Sequence, residues 1–228
     1  MSLSKVLCQL PKLSRSTSII HEPWYLVAAV VMTTLNQPQD LPQLYDHVKQ
    51  KTTNDDELME VVLRMKEAIF KSGVILGTPR IINSLTSLHS HLPASLSERL
   101  PKQPLRQPVD ESTLKRRGQD MFDRIYERHA GRVMSNLVTA YPDLGSHALI
   151  DGYGRILSEV SVVNALDTSL VIVAGLMCDN LPSQLKGHYH GALHHGSTAD
   201  QLGDLQCLVQ QLCLHYHRTY CPLPTKTK

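Results

Sequence analysis

The segment "DTSLVIVAGLMCDNLPSQLKGHYHGALHHGSTADQL", residues 167–202, decides the fold. Its first part is apolar on every side, the pattern of a helix inside a core rather than on a surface. Pro182 then opens a second helix, whose first turn needs no backbone donor from it, and Gly196 closes that helix with the residue best suited to a left-handed cap. Thr198 and Gln201 stand three apart, the spacing at which a cap side chain and the third helical residue satisfy each other's free amides. Three helices follow one another with no alternating apolar stretch, and the chain reads as all-α.

The same order occurs earlier. A shift of 144 residues superposes Leu26 on Leu170, Val27 on Val171, Asn36 on Asn180, Pro38 on Pro182, Tyr45 on Tyr189 and Leu58 on Leu202. Asn54 and Glu57 repeat the cap spacing. Two divergent repeats packed together are therefore expected. In the first, Leu58, Val62, Met65, Ile69, Gly73 and Leu76 form an apolar stripe, and Thr78 with Pro79 is read as the capped start of the next helix. Prolines at 93, 101, 104 and 108 make 93–110 a linker, since each removes a donor and disfavours helix in the residue before it. Beyond it, Leu114, Gly118, Met121, Phe122 and Ile125 continue to Val133, Met134, Leu137 and Val138 with a break near Gly131. A further helix carries Leu149, Ile150, Tyr153, Ile156 and Leu157. The expected units are 1–22, 23–92, 93–110, 111–220 and a tail, 221–228.

Composition narrows the function. A formal net charge of +2 on 228 residues, with "LKRRG" at 114–118 as the one local basic run, gives no footprint for nucleic acid. The longest apolar run, Trp24–Met32, has the length of a buried helix and falls short of the ~20 residues that span a bilayer. Five cysteines, an odd number without a C-x-x-C, read as reduced intracellular thiols. The first twenty residues carry Lys5, Lys12 and Arg15 with serines and no acid. They fit a mitochondrial presequence or, equally, a first helix with Leu3, Val6, Leu7 and Leu10 on one face; a cytoplasmic location is the alternative. The ending "TKTK" is not a peroxisomal address of the S-K-L type.

Four histidines, His188, His190, His194 and His195, raise the question of a metal site. On a helix His190 and His194 form an i, i+4 pair, whereas His188 lies on the side of Leu185 and Ala192. No carboxylate stands in this helix and no H-E-x-x-H occurs, so no metal site is assigned, and His190 and His194 read as surface residues. His188, within an apolar stripe, needs a hydrogen-bond partner, as a structural histidine or as a catalytic one.

Leu170, Val171, Ala174, His188, Gly191, Ala192, Leu193 and Gly196 resemble the motif of the carboxymuconolactone decarboxylase family, in the alkylhydroperoxidase D-like (AhpD-like) superfamily. The likeness runs from about Pro23 and is similar to fungal two-repeat members. It implies an all-helical bundle, a homo-oligomer and no cofactor. Redox members use a glutamate, a cysteine pair and the histidine; here those positions hold Ser169, Leu181, Gln184 and His188, and in the first half Asp40 and Gln43 if His47 is the histidine. Cys178 lies off that spacing and without a partner, so thiol-dependent hydroperoxide reduction is the weakest of three implied functions. Decarboxylating members act on a small carboxylated lactone. On that pattern His188 is the expected acid/base of a lyase or isomerase acting on a small-molecule carboxylate, with Tyr153 and Tyr189 as hydrogen-bonding neighbours. The remaining reading is a non-catalytic structural or binding member. His190, His194 and His195 replace arginine and asparagine of the family, which puts anion binding at those positions in question.

Overall fold

A computed structural model describes residues 1–14 and 16–224; Arg15, part of the presequence reading, and 225–228, which hold the TKTK ending, lie outside the described residues. No strand occurs among the described residues, so the all-α class is observed.

The first helix of the chain, α1 (Leu3–Gln9), buries Leu3, Val6 and Leu7, and ends before Pro11. Every residue of α2 (Trp24–Thr34) is buried, as its all-round apolar surface requires. Then α3 (Leu41–Lys49) leads to α4 (Asp55–Leu76), which Asn54 caps by accepting from the Glu57 amide at 2.9 Å. Next comes α5 (Thr78–His91). Its cap is Gly77, at φ 78°, and no side chain bonds there, so the expected Thr78 cap is not made. The prolines of 93–110 break regular helix, leaving only α6 (Ala94–Ser97), yet Leu96 and Leu100 are buried and the segment is packed down.

The second half opens with α7 (Glu111–Tyr126), which a turn at Glu127, φ 43°, separates from α8 (Ala130–Ala140). A short α9 (Pro142–His147) runs into a π-helix, Ala148–Leu157, and the chain continues as α10 (Ala165–Cys178), α11 (Pro182–His194) and α12 (Ala199–His215). From Asp167 to Cys178, α10 is wholly buried, and it packs on α2, with α4 lying across both. The helices of both halves thus enclose one core.

Two turns share their geometry at the 144-residue spacing. Asn36 and Asn180 both adopt left-handed backbone, φ 54° and 55°, a conformation asparagine tolerates better than other side chains. Gln37 N donates to Met32 O at 2.8 Å, and Leu181 N to Leu176 O at 3.1 Å, the six-residue closure of a helix end. Thr198 repeats the Asn54 cap, accepting from Gln201 N at 3.1 Å.

The crossing of α7 with the π-helix fixes the site described next. A Cβ on Gly118 would stand 2.0 Å from the Leu149 carbonyl oxygen, and one on Gly154 2.2 Å from that of Leu114. Only glycine lets the two backbones meet at this distance.

A polar stripe on α4 holds the far end of this unit. Arg64 Nη2 donates to the Asp167 carboxylate at 2.6 Å, and both side chains are buried. Glu67 binds Arg106 of the linker, which also donates to the Ile156 carbonyl at 3.2 Å. Lys71, fully buried, donates to Thr168 Oγ1 at 2.8 Å, the Val163 carbonyl at 3.2 Å, the Leu157 carbonyl at 3.4 Å, and the Glu159 carbonyl. An ammonium thereby satisfies the orphan carbonyls where the π-helix ends. Burial pushes its pKa down to about 8.

Candidate functional site

Glycine also positions α11. A Cβ on Gly187 would meet the Tyr126 ring at 2.6 Å, so its absence lets α11 settle against the end of α7. His188 follows directly and is buried. Three aromatic groups surround it: Tyr153 from the π-helix, with its ring nearly parallel to the imidazole, Tyr126 from α7, and Phe122 behind both.

The polar atoms form a chain. Tyr126 Oη lies 3.0 Å from Tyr153 Oη, which lies 3.3 Å from His188 Nε2. Burial, and next His195, lowers the His188 pKa to about 4, so the ring is neutral at neutral pH. Burial raises both tyrosines, Tyr153 well above its ordinary value. The result is a chain of neutral groups that can each donate or accept one proton. It can hydrogen-bond a developing oxyanion or pass a proton along, without carrying a resting charge.

Of the expected site residues, His188 and Tyr153 are brought together. Tyr189 is not: it is buried, its ring meets His190 edge-on at 5.3 Å, and it forms no hydrogen bond to His188. Neighbours on a helix point about 100° apart, which takes its side chain off the His188 face. Tyr126 was not anticipated, although it follows Phe122 by one turn and so shares the apolar face of α7.

The other histidines separate. His190 is exposed, but His194 is half-buried and not a plain surface residue. Its Nδ1–H donates to the Arg124 and Ile125 carbonyls at 3.1 and 3.2 Å, tying α11 to the end of α7. His195 Nδ1 lies 2.8 Å from Ser169 Oγ. Among the described residues no group of three or more histidines, cysteines or acids is placed to hold a metal ion. No helix there is long and apolar enough to cross a membrane.

Two surface clefts stand away from His188. One, of about 500 Å³, lies beside α4, α5 and the linker, with Lys66, His89 and Leu100 in its wall; the other, of about 450 Å³, lies between α1 and the end of α12. Cys178 has a neighbour the sequence reading denied it: its sulfur is 3.8 Å from that of Cys213.

No family model matches the chain. Peroxisomal protein 2 of Saccharomyces cerevisiae is 28% identical over 250 aligned positions, covering 83% of this chain and 88% of that protein. The protein of the same name from Schizosaccharomyces pombe is 31% identical over 178 positions, covering 78% and 79%. Identity at that level along most of both chains means that this chain belongs to the peroxisomal protein 2 family.

Proposed function

We propose that this is a peroxisomal protein that performs cofactor-free proton transfer on a small carboxylated substrate, with His188 and Tyr153 as the acid/base pair and Tyr126 extending it. The Tyr126–Tyr153–His188 chain carries this reading, because His188 is the position that resembles the histidine of carboxymuconolactone decarboxylases and it holds a phenol partner. The AhpD-like two-repeat arrangement belongs to the same proposal and is supported by the matched Asn36 and Asn180 turns and the matched caps. The relatives' shared name supports the peroxisome over the mitochondrion.

The test is carbon dioxide release from carboxymuconolactone and related small unsaturated carboxylates. The wild-type chain is expected to turn one of them over, and His188→Ala to lose about 100-fold or more with helicity intact. Full activity in that variant sinks the proposal. A fluorescent fusion that fills mitochondria instead of peroxisomes overturns the location.

A second reading has its own support: both clefts lie elsewhere and burial holds His188 neutral. On this reading the tyrosine–histidine chain is a satisfied structural network in a non-catalytic member. Absence of turnover across the substrate panel, together with a stability loss in Tyr153→Phe, favours it.

A further inference from the structure

Three cysteines meet at one corner of the molecule. Cys178 ends α10 and Cys213 lies in the last turn of α12; both are buried, and their sulfurs are 3.8 Å apart although the residues are 35 positions distant in sequence. The tail crosses this corner, since Cys221 N donates to the Met177 carbonyl at 2.8 Å and Leu223 N to Gln206 Oε1 at 2.7 Å. Cys221 itself is only half-buried, and its thiol turns to the Pro222 carbonyl. Cys8 and Cys207 are exposed elsewhere.

The contact distance of Cys178 and Cys213 is short enough that joining them needs a sulfur shift of under about 2 Å, against an S–S bond of about 2.05 Å. Hydrogen bonding to Cys178 draws the Cys213 thiol down, while Cys178 is pushed up by that bond and by burial.

We propose that Cys178 and Cys213 are a redox modification site, a dithiol that a peroxide converts to a disulfide, pinning the end of α10 to the end of α12. One sulfur attacks the peroxide, breaks its O–O bond and becomes a sulfenic acid, while the departing oxygen takes up the thiol proton and leaves as water or an alcohol. The second sulfur then displaces the sulfenic oxygen, which leaves as water with the second thiol proton. Two thiols and one peroxide thus yield one disulfide, with no further reactant. The reaction is stoichiometric and independent of the His188 chemistry. Its structural effect falls on that site all the same, because α11 starts four residues after Cys178.

The experiment uses the full-length chain carrying Cys207→Ser, so that the tryptic peptide 187–218 holds Cys213 as its one thiol. The reduced protein is treated with hydrogen peroxide, blocked with N-ethylmaleimide and digested without reductant. The expected product is peptide 156–186 joined to 187–218 with the loss of two hydrogens, accompanied by a rise in Tm of about 5 °C or more that dithiothreitol reverses. Cys178→Ala is expected to abolish both. Blocked Cys178 and Cys213 under conditions that fully oxidise Cys8 overturn the proposal, as does a Cys178–Cys221 link in its place. Should Cys178→Ala fail to fold, the peptide map of the parent chain decides the matter.

Discussion

His188 is a histidine that the fold keeps uncharged, and this has a thermodynamic signature. Its pKa is about 4 in the folded chain against an ordinary 6.5. Between those values the unfolded chain binds the extra proton, so unfolding is favoured as pH falls from about 6.5 to about 4, and the effect levels off below. The full difference corresponds to roughly 3 kcal/mol. Urea titrations of wild type and His188→Gln, compared from pH 7 to pH 4, are expected to show a smaller acid loss in the variant. Parallel curves would mean that His188 is not buried neutral. Catalysis has a matching expectation: if the neutral ring acts, the rate is level from about pH 5 to 8 and falls only as pH drops through about 4. At this scale the sequence was half legible. His188 stood out because a polar ring in an apolar stripe must find a partner. Tyr126 did not, because a tyrosine on an apolar face gives no sign of where its hydroxyl points. Cys213 was silent for another reason: a contact spanning 35 residues leaves no local pattern.

Elements were easier to read where burial is uniform. All-round apolar character marked α2 and α10, and short-range chemistry marked the caps at Asn54 and Thr198. The α4 stripe of Leu58, Val62, Met65 and Ile69 is buried, but so are Arg64, Glu67 and Lys71 on another side. Charged residues suggest solvent by default, and their partners come from segments distant in sequence: 157–168 for Arg64 and Lys71, and Arg106 of the linker for Glu67. The π-helix was equally hidden, since ten residues with wider turns carry no periodicity distinct from an α-helix. Lys71→Met is expected to lower stability by about 3 kcal/mol, because it strands the Leu157 and Glu159 carbonyls without a donor and leaves the Val163 carbonyl to the Thr168 hydroxyl alone. Hydrogen exchange should then quicken in 157–168 more than elsewhere, and uniform quickening would deny Lys71 this local role. Gly154→Ala, which sets a methyl against the Leu114 carbonyl, is expected to cost about 1–3 kcal/mol in a denaturant titration and to disturb the Tyr153–His188 contact. An unchanged stability would show that α7 and the π-helix can separate without penalty.

For the molecule as a whole, the N-terminal segment belongs to the packed body. Leu3, Val6, Leu7 and Leu13 are buried, α1 touches α3 and α12, and Gln201 donates to the Leu13 carbonyl at 2.6 Å. Deleting residues 1–22 is therefore expected to lower Tm by several degrees in a thermal melt, where removal of an unpacked leader would change nothing. The proline-rich stretch 93–110 likewise reads as a tether in sequence and is a strap in structure, held by Leu96, Leu100 and Arg106. The contact of α2 with α10 has a consequence during synthesis. A helix that is apolar all round leaves the ribosome about 140 residues ahead of the one that covers it. At roughly 5–20 residues per second that interval is about 7–28 s, during which the nascent first half offers an uncovered oily face. A chaperone holding that half, or a stall in translation before Ala165, would govern how much of this protein reaches its folded form.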